Sequence, residues 1–136
     1  MRLFINARTD TYLVPAADPH ARFEETVRRA QKYIAAGADG IFVPGLEKLE
    51  EMEHMVRILT RPLNIYAGYA GLPPVNELRR VGVRRVSLGC GPLQAALALA
   101  RRIAAETLVD GTYTAMTANM LSAAEANALF SRKQSE

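Results

Sequence analysis

The chain has 136 residues, 49% of them hydrophobic and 23% charged, with a formal net charge of +3. That length and balance suit one soluble domain with a real core and exclude a disordered chain. The arginine excess is spread through helical segments (Arg28, Arg29, Arg57, Arg79, Arg80, Arg101, Arg102) without interleaved aromatics, so no nucleic-acid partner is expected.

The first strand is expected over Phe4–Asp10. Period-two alternation sets Leu3, Ile5 and Ala7 on one face and Phe4, Asn6, Arg8 and Asp10 on the other. A strand covered on both faces should be apolar almost throughout. This one instead gathers an amide, a guanidinium and a carboxylate toward its C-terminal end, where α/β folds place ligands. Asp18 as N-cap, Pro19 at the first helical position and Gly37 as a stop bound a helix over 19–36, with Phe23, Val27, Ala30 and Ile34 as its apolar stripe. Gly40-Ile41-Phe42-Val43 closed by Pro44-Gly45 reads as a buried strand. Leu49, Met52, Val56 and Leu59 mark a helix over 47–60 whose Glu47, Glu50, Glu51 and Glu53 suit its N-terminal dipole.

A third strand spans Pro62–Ala67, and Pro73-Pro74 breaks the chain before a short helix marked by Val75, Leu78 and Val81. Gly82 ends that helix, a fourth strand follows over Val83–Leu88, and Gly89-Cys90-Gly91-Pro92 turns into a long helix over Leu93–Leu108. Beyond Thr112 lies a loop and a weak helix opened by Ser122 with Glu125 three residues on, a capping-box pattern, with frayed ends from Ser131. The single Cys90 excludes an internal disulfide and any multi-cysteine metal site and suits a reducing cytoplasm. No signal-peptide pattern is present and Arg101-Arg102 interrupt the most apolar helix, so a cytoplasmic protein without a membrane span is expected.

The result is an α/β chain of four βα units over residues 1–113, followed by a helical tail over 114–136. Such alternation requires a parallel sheet joined by right-handed crossovers. Four strands fit a small open sheet with helices on both faces, or half of an eight-stranded (β/α) barrel. Asn6, Arg8, Asn64, Tyr66 and Ser87 favour the barrel, because an open sheet would place them beneath a helix.

Three runs carry a family resemblance: Asn6-Ala7-Arg8-Thr9-Asp10, Ala35-Ala36-Gly37-Ala38-Asp39-Gly40-Ile41-Phe42-Val43-Pro44-Gly45, and Arg85-Val86-Ser87-Leu88-Gly89. From Leu3 to about Tyr113 the chain resembles the isocitrate lyase and phosphoenolpyruvate mutase (phosphomutase) superfamily. The resemblance implies a (β/α)8 TIM-type barrel of which this chain supplies the C-terminal half, strands five to eight. It also implies Mg²⁺-assisted stabilisation of a 2-oxo-acid enolate while a C–C or P–C bond is made or broken. Arg8 is then the contact to a small anionic 2-oxo acid or phosphonate. The family's Mg²⁺-binding acids and its catalytic loop belong to the first half of the barrel, so no metal ligand is assigned in this chain. Val43-Pro44 stand where the lyases carry Pro-Glu, and Tyr66 stands near the lyases' strand-end Asn, with Asn64 an alternative in a different register.

The candidate substrate-binding set is therefore Arg8, Asn6, Asp10, Asn64, Tyr66, Gly89 and Gly91, with the catalytic residues unassigned. Asp10 either orients Arg8 or caps the following turn. Gly89 and Gly91 flank a βα turn that offers backbone N–H groups to an anion, or simply allow a tight turn. Cys90 at the helix start has no base nearby in sequence, and His20 and His54 lack metal-ligand spacing and are expected in solvent. Three readings stay open: the C-terminal half of a lyase or phosphomutase that is inactive alone, a non-catalytic half-barrel, and a truncated gene product. The half-barrel would homodimerise or complement a separate N-terminal half, and the resemblance implies exchange of helix 93–108 between subunits.

Overall fold

Four short parallel strands carry the fold: β1 (Asn6–Arg8), β2 (Gly40–Val43), β3 (Leu63–Tyr66) and β4 (Arg85–Ser87). The computed structural model describes residues 3–15, 19–68, 71–118 and 120–131. Helices α1 (Pro19–Ala35), α2 (Leu49–Ile58) and α3 (Val75–Arg80) connect the strands, and α4 (Gly91–Val109), α5 (Thr114–Thr117) and α6 (Ala123–Ala128) follow. By packing, the chain divides into two compact units, Met1–Gly91 and Pro92–Glu136.

The sheet order is β1-β2-β3-β4, with every neighbouring pair parallel. Sequential order with right-handed crossovers puts the connecting helices on one face, as in a barrel wall, whereas a doubly wound sheet reverses its order midway. The packing agrees. Ile41, Val43, Leu63 and Ile65 point to the face where Ala30 of α1, Met52 and Met55 of α2 and Leu78 of α3 are buried with them. Each of these side chains other than Ala30 contributes roughly 1.5–3 kcal/mol of burial. The open two-sided sheet weighed above is thereby set aside.

The opposite face is polar and its register is fixed. Arg8 pairs with Phe42, Phe42 with Asn64, and Asn64 with Arg85, so these four form one row across the sheet. Tyr66 and Ser87 form the next row toward the C-terminal ends.

Most helix limits agree with their sequence signals, and the strand ends are where the structure differs. The first strand is shorter than Phe4–Asp10 because Ile5 is engaged elsewhere. Its N–H donates to the Asp39 carboxylate at 3.0 Å, and its carbonyl accepts the N–H groups of Asp39 and Gly40 at 2.8 and 3.1 Å. Leu3, Phe4 and Ile5 are consequently exposed. The expected Asp18 cap lies outside the described residues, as does the end of the tail beyond Ser131. The Ser122–Glu125 capping box is present in full: the Glu125 N–H donates to Ser122 Oγ at 3.2 Å and the Ser122 N–H to the Glu125 carboxylate at 2.8 Å. The short α5 carried no sequence signal. Glu106 on α4 organises it by accepting the N–H groups of Thr114 and Ala115, both at 2.7 Å. Together with the Thr112 hydroxyl, the largest cause, these bonds pull the Glu106 carboxyl below its ordinary range.

Two tests address this scaffold. Gly82, with φ +92°, stops α3, and a Cβ there would lie 2.7 Å from Val56 Cγ1. Gly82→Ala should cost about 1–3 kcal/mol in urea unfolding, from the left-handed backbone and the crowding of Val56 together. On α1, Glu25 accepts from both Arg28 and Arg29 at 2.6 Å, and these hydrogen bonds lower its pKa to about 2. A depressed carboxylate stabilises fully above its unfolded pKa and loses that contribution as the pH falls through the folded one. Helicity and thermal midpoint should accordingly decline from about pH 4.5 toward about 2. Glu25→Gln should remove that segment of the titration, and an identical acid profile in the variant would exclude Glu25 as its source.

Candidate anion-binding site

The C-terminal ends of all four strands meet in an open cleft of about 270 Å³. Arg8 comes from β1, Phe42 and Pro44 from the end of β2, Tyr66 from β3, and Gly89 and Cys90 from the turn after β4.

Arg8 is held from two sides. Its Nε donates to Asp10 Oδ1 at 2.6 Å, and its guanidinium carbon lies 5.6 Å from the centre of the Phe42 ring. The ring contact follows from the sheet register, since Arg8 and Phe42 are direct cross-strand partners. Both partners of the Arg8–Asp10 pair are half exposed, so the pair adds at most about 1 kcal/mol to stability and acts chiefly in orientation. With Asp10 on the inner nitrogen, the outer edge of the guanidinium is the part that suits a bidentate carboxylate or phosphonate.

Tyr66 is held sterically. A Cβ at either Gly68 or Gly89 would collide with its ring, so the phenol sits in a cradle made by two residues without side chains. Its hydroxyl lies 3.9 Å from Cys90 Sγ. Gly89, with φ +57°, lines the cleft and leaves the space that the Tyr66 ring occupies.

The other sequence candidates lie apart from the cleft lining. Asn64 is buried, and its amide exchanges hydrogen bonds with the Ser87 hydroxyl at 3.0 and 3.1 Å. That pair joins β3 to β4 and satisfies two polar groups that would be costly alone. Asn6 packs against Gly40, where a Cβ would stand 3.1 Å from its Oδ1. Gly91 begins α4, and Asp10 reaches the site through Arg8. His54 is exposed and stacks on Phe23 at 4.9 Å, while the His20 side chain is outside the described residues.

Sequence reasoning missed Phe42 and Pro44 as walls; phase alone puts Phe42 on the polar face, but only the register sets it beneath Arg8. It also missed a second, smaller cleft lined by Tyr12, Arg22, Lys48 and Glu51. There the Tyr12 hydroxyl donates to Glu51 at 2.6 Å, and burial first, then Glu51, drives the phenol pKa well above its ordinary value. This contact ties the loop after β1 to α2.

Among the described residues no group of three or more His, Cys, Asp or Glu side chains converges to hold a metal ion. The Asp10 carboxylate accepts from Arg8 Nε at 2.6 Å. The described residues therefore do not by themselves fit a Mg²⁺ ion.

A singly wound parallel βα sheet of this kind is the wall of a partial (β/α) barrel. The phosphoenolpyruvate phosphomutase family model matches residues 1–108, and the chain belongs to that family. An uncharacterised protein of Mycobacterium tuberculosis H37Rv is 38% identical over 109 residues, covering 80% of this chain and 40% of that protein. The 2-methylisocitrate lyase of Aeropyrum pernix is 32% identical over 79% of this chain and 37% of its own length. The crystal structure of a candidate lyase/mutase from Burkholderia cenocepacia J2315 superposes with a TM-score of 0.81 at 33% identity, covering 93% of this chain and 44% of that one. Other relatives are Pseudomonas oxaloacetate decarboxylases and a phosphonopyruvate hydrolase solved with oxalate and Mg²⁺. The chain spans about 40% of the length of the curated relatives it matches. Among the described residues no helix is long and apolar enough to cross a membrane.

Proposed function

We propose that this chain forms strands five to eight of a lyase or phosphomutase barrel, in a cytoplasmic setting, and supplies the wall that binds the carboxylate or phosphonate of a small 2-oxo-acid type substrate. The observation that carries this reading is Arg8, positioned by Asp10 and Phe42 at the strand ends beside an open cleft. The activities of the relatives support the substrate class. With Pro44 at the position where the lyases carry Glu, and with no metal cluster among the described residues, the wall binds and orients but does not itself supply a base or a metal. The 136-residue chain with added Mg²⁺ should thus show no appreciable turnover of 2-methylisocitrate, isocitrate or phosphonopyruvate. Robust Mg²⁺-dependent cleavage would sink this assignment of labour.

A second reading, a non-catalytic wall that completes itself by association, is favoured by one specific observation. None of the 19 residues of α4 is buried, and Leu93, Leu97 and Leu108 are all more than half exposed. Exposed apolar patches of this kind mark interaction surfaces. A homo-oligomer exchanging helix 93–108 would bury them. Light scattering should then return at least twice the monomer mass, and a stable monomer across a wide dilution range would count against it.

A further inference from the structure

Asp10 meets Arg8 in a pair that is half exposed, and such a pair is too weak to fix its own geometry. The order has to come from the backbone around Asp10. That backbone is a tight turn, closed by the Leu13 N–H donating to the Asp10 carbonyl at 2.9 Å. Side chains then tie the turn to both neighbouring helices. Thr11 is buried and shares a hydrogen bond with the Thr26 hydroxyl of α1 at 2.5 Å. Tyr12 reaches the other way and donates to Glu51 of α2 at 2.6 Å, while the Arg22 guanidinium lies over its ring, 5.5 Å from the centre. Lys48 pairs with the other Glu51 oxygen at 3.4 Å. The turn also packs closely on Gly45, where a Cβ would stand 3.0 Å from the Tyr12 carbonyl oxygen.

These ties are not equivalent. Thr11 anchors the turn to the helix that the turn itself leads into, whereas Tyr12 anchors it to the second βα unit, which also carries Phe42 beneath Arg8. Among the described residues, Tyr12–Glu51 is the side-chain hydrogen bond that joins the turn to that unit. We propose that Tyr12 and Glu51 are positioning residues for Arg8: their bond holds the Asp10–Leu13 turn so that the Asp10 carboxylate stays on Arg8 Nε and the outer edge of the guanidinium stays free for an anion. This deepens the anion-site reading and rests on Arg8 as the ligand contact. A guanidinium oriented in advance loses less freedom when the ligand arrives, so affinity rises without any new contact.

The side-chain Nε–H of Arg8, followed by NMR in the full chain, reports the bond to Asp10 with no ligand present. Its exchange with solvent should quicken about fivefold in Tyr12→Phe and in Glu51→Ala, and stay near the wild-type rate in Glu51→Gln, which keeps an acceptor for the phenol. Leu78→Ala, a core truncation on α3 outside the first two βα units, lowers global stability and should leave the exchange unchanged. Pyruvate titration of the same proteins should show affinity falling in step with the quickened exchange. Should Glu51→Ala fold poorly, Tyr12→Phe, which removes a single oxygen, carries the test. Unchanged exchange in Tyr12→Phe would make the bond merely structural and overturn the proposal, as would an equal rise in Leu78→Ala. Quickened exchange with unchanged pyruvate affinity would overturn the role in binding. A wild-type chain that binds no pyruvate would overturn the anion site, and the exchange rates would still decide whether Tyr12 and Glu51 position Arg8.

Discussion

Arg8→Ala is expected to reduce carboxylate binding below detection while leaving the folded state almost unchanged. The guanidinium is the sole cation among the described residues lining the cleft, so its removal takes away both the charge and the fork that a carboxylate needs. Charge-assisted hydrogen bonds to an anion contribute about 1.5–3 kcal/mol each, so losing a bidentate pair converts weak binding to none. Stability should move by less than about 1 kcal/mol, because the Arg8–Asp10 pair is half exposed and screened by water. Calorimetry with pyruvate and urea unfolding, run on the same two proteins, separate these effects. Arg8→Lys should recover only part of the affinity, since a point charge lacks the planar fork and loses the contact over Phe42. Binding that persists in Arg8→Ala would make Arg8 a structural residue and move the anion site elsewhere.

The second large effect should come from two adjacent residues of β2 and run against their sizes. Ile41 is fully buried on the helix-covered face, in the cluster with Met52, Met55 and Leu63. Ile41→Ala should cost about 2–5 kcal/mol from lost burial and the cavity left behind. Phe42 is the larger side chain, but it is only partly buried and lies on the polar face under Arg8. Phe42→Ala should therefore cost about 1 kcal/mol, well short of the 3–5 typical of a core phenylalanine. Urea midpoints of the two variants measure the asymmetry directly. Equal losses would mean that the polar face is packed as tightly as the helix face.

Much of this architecture was legible in the sequence because the elements announce themselves locally. Val43-Pro44-Gly45 closes a strand, the Ser122–Glu125 pattern opens a helix, and the stripes of α1 and α2 fall on the faces they bury. The polar face of β1 also singled out Arg8, which lines the cleft at the strand ends. What local signals could not supply was convergence. Asn64 and Tyr66 lie two apart on the same face of β3 and look equivalent as lining residues. The structure separates them, because Asn64 finds Ser87 on the neighbouring strand while Tyr66 is pushed to the strand end between two glycines. Phe42 escaped notice because its phase puts it on the polar face without showing what it meets there, which the register with Arg8 supplies. The Tyr12–Glu51 contact joins residues 39 positions apart, with no motif linking them.

The sequential strand order also bears on how the molecule comes to be folded. Every strand in the sheet pairs with the strand next to it in the chain, so each ladder closes across one helix and its loops. The loop-closure entropy met at each step is correspondingly modest, and no described pairing waits for a segment synthesised much later. As the polypeptide leaves the ribosome, β2 can dock on β1, β3 on β2 and β4 on β3, each bringing the helix that covers its apolar face. A wall assembled in this order keeps its nascent strands paired soon after they appear, which shortens the time during which unpaired edges are open to aggregation.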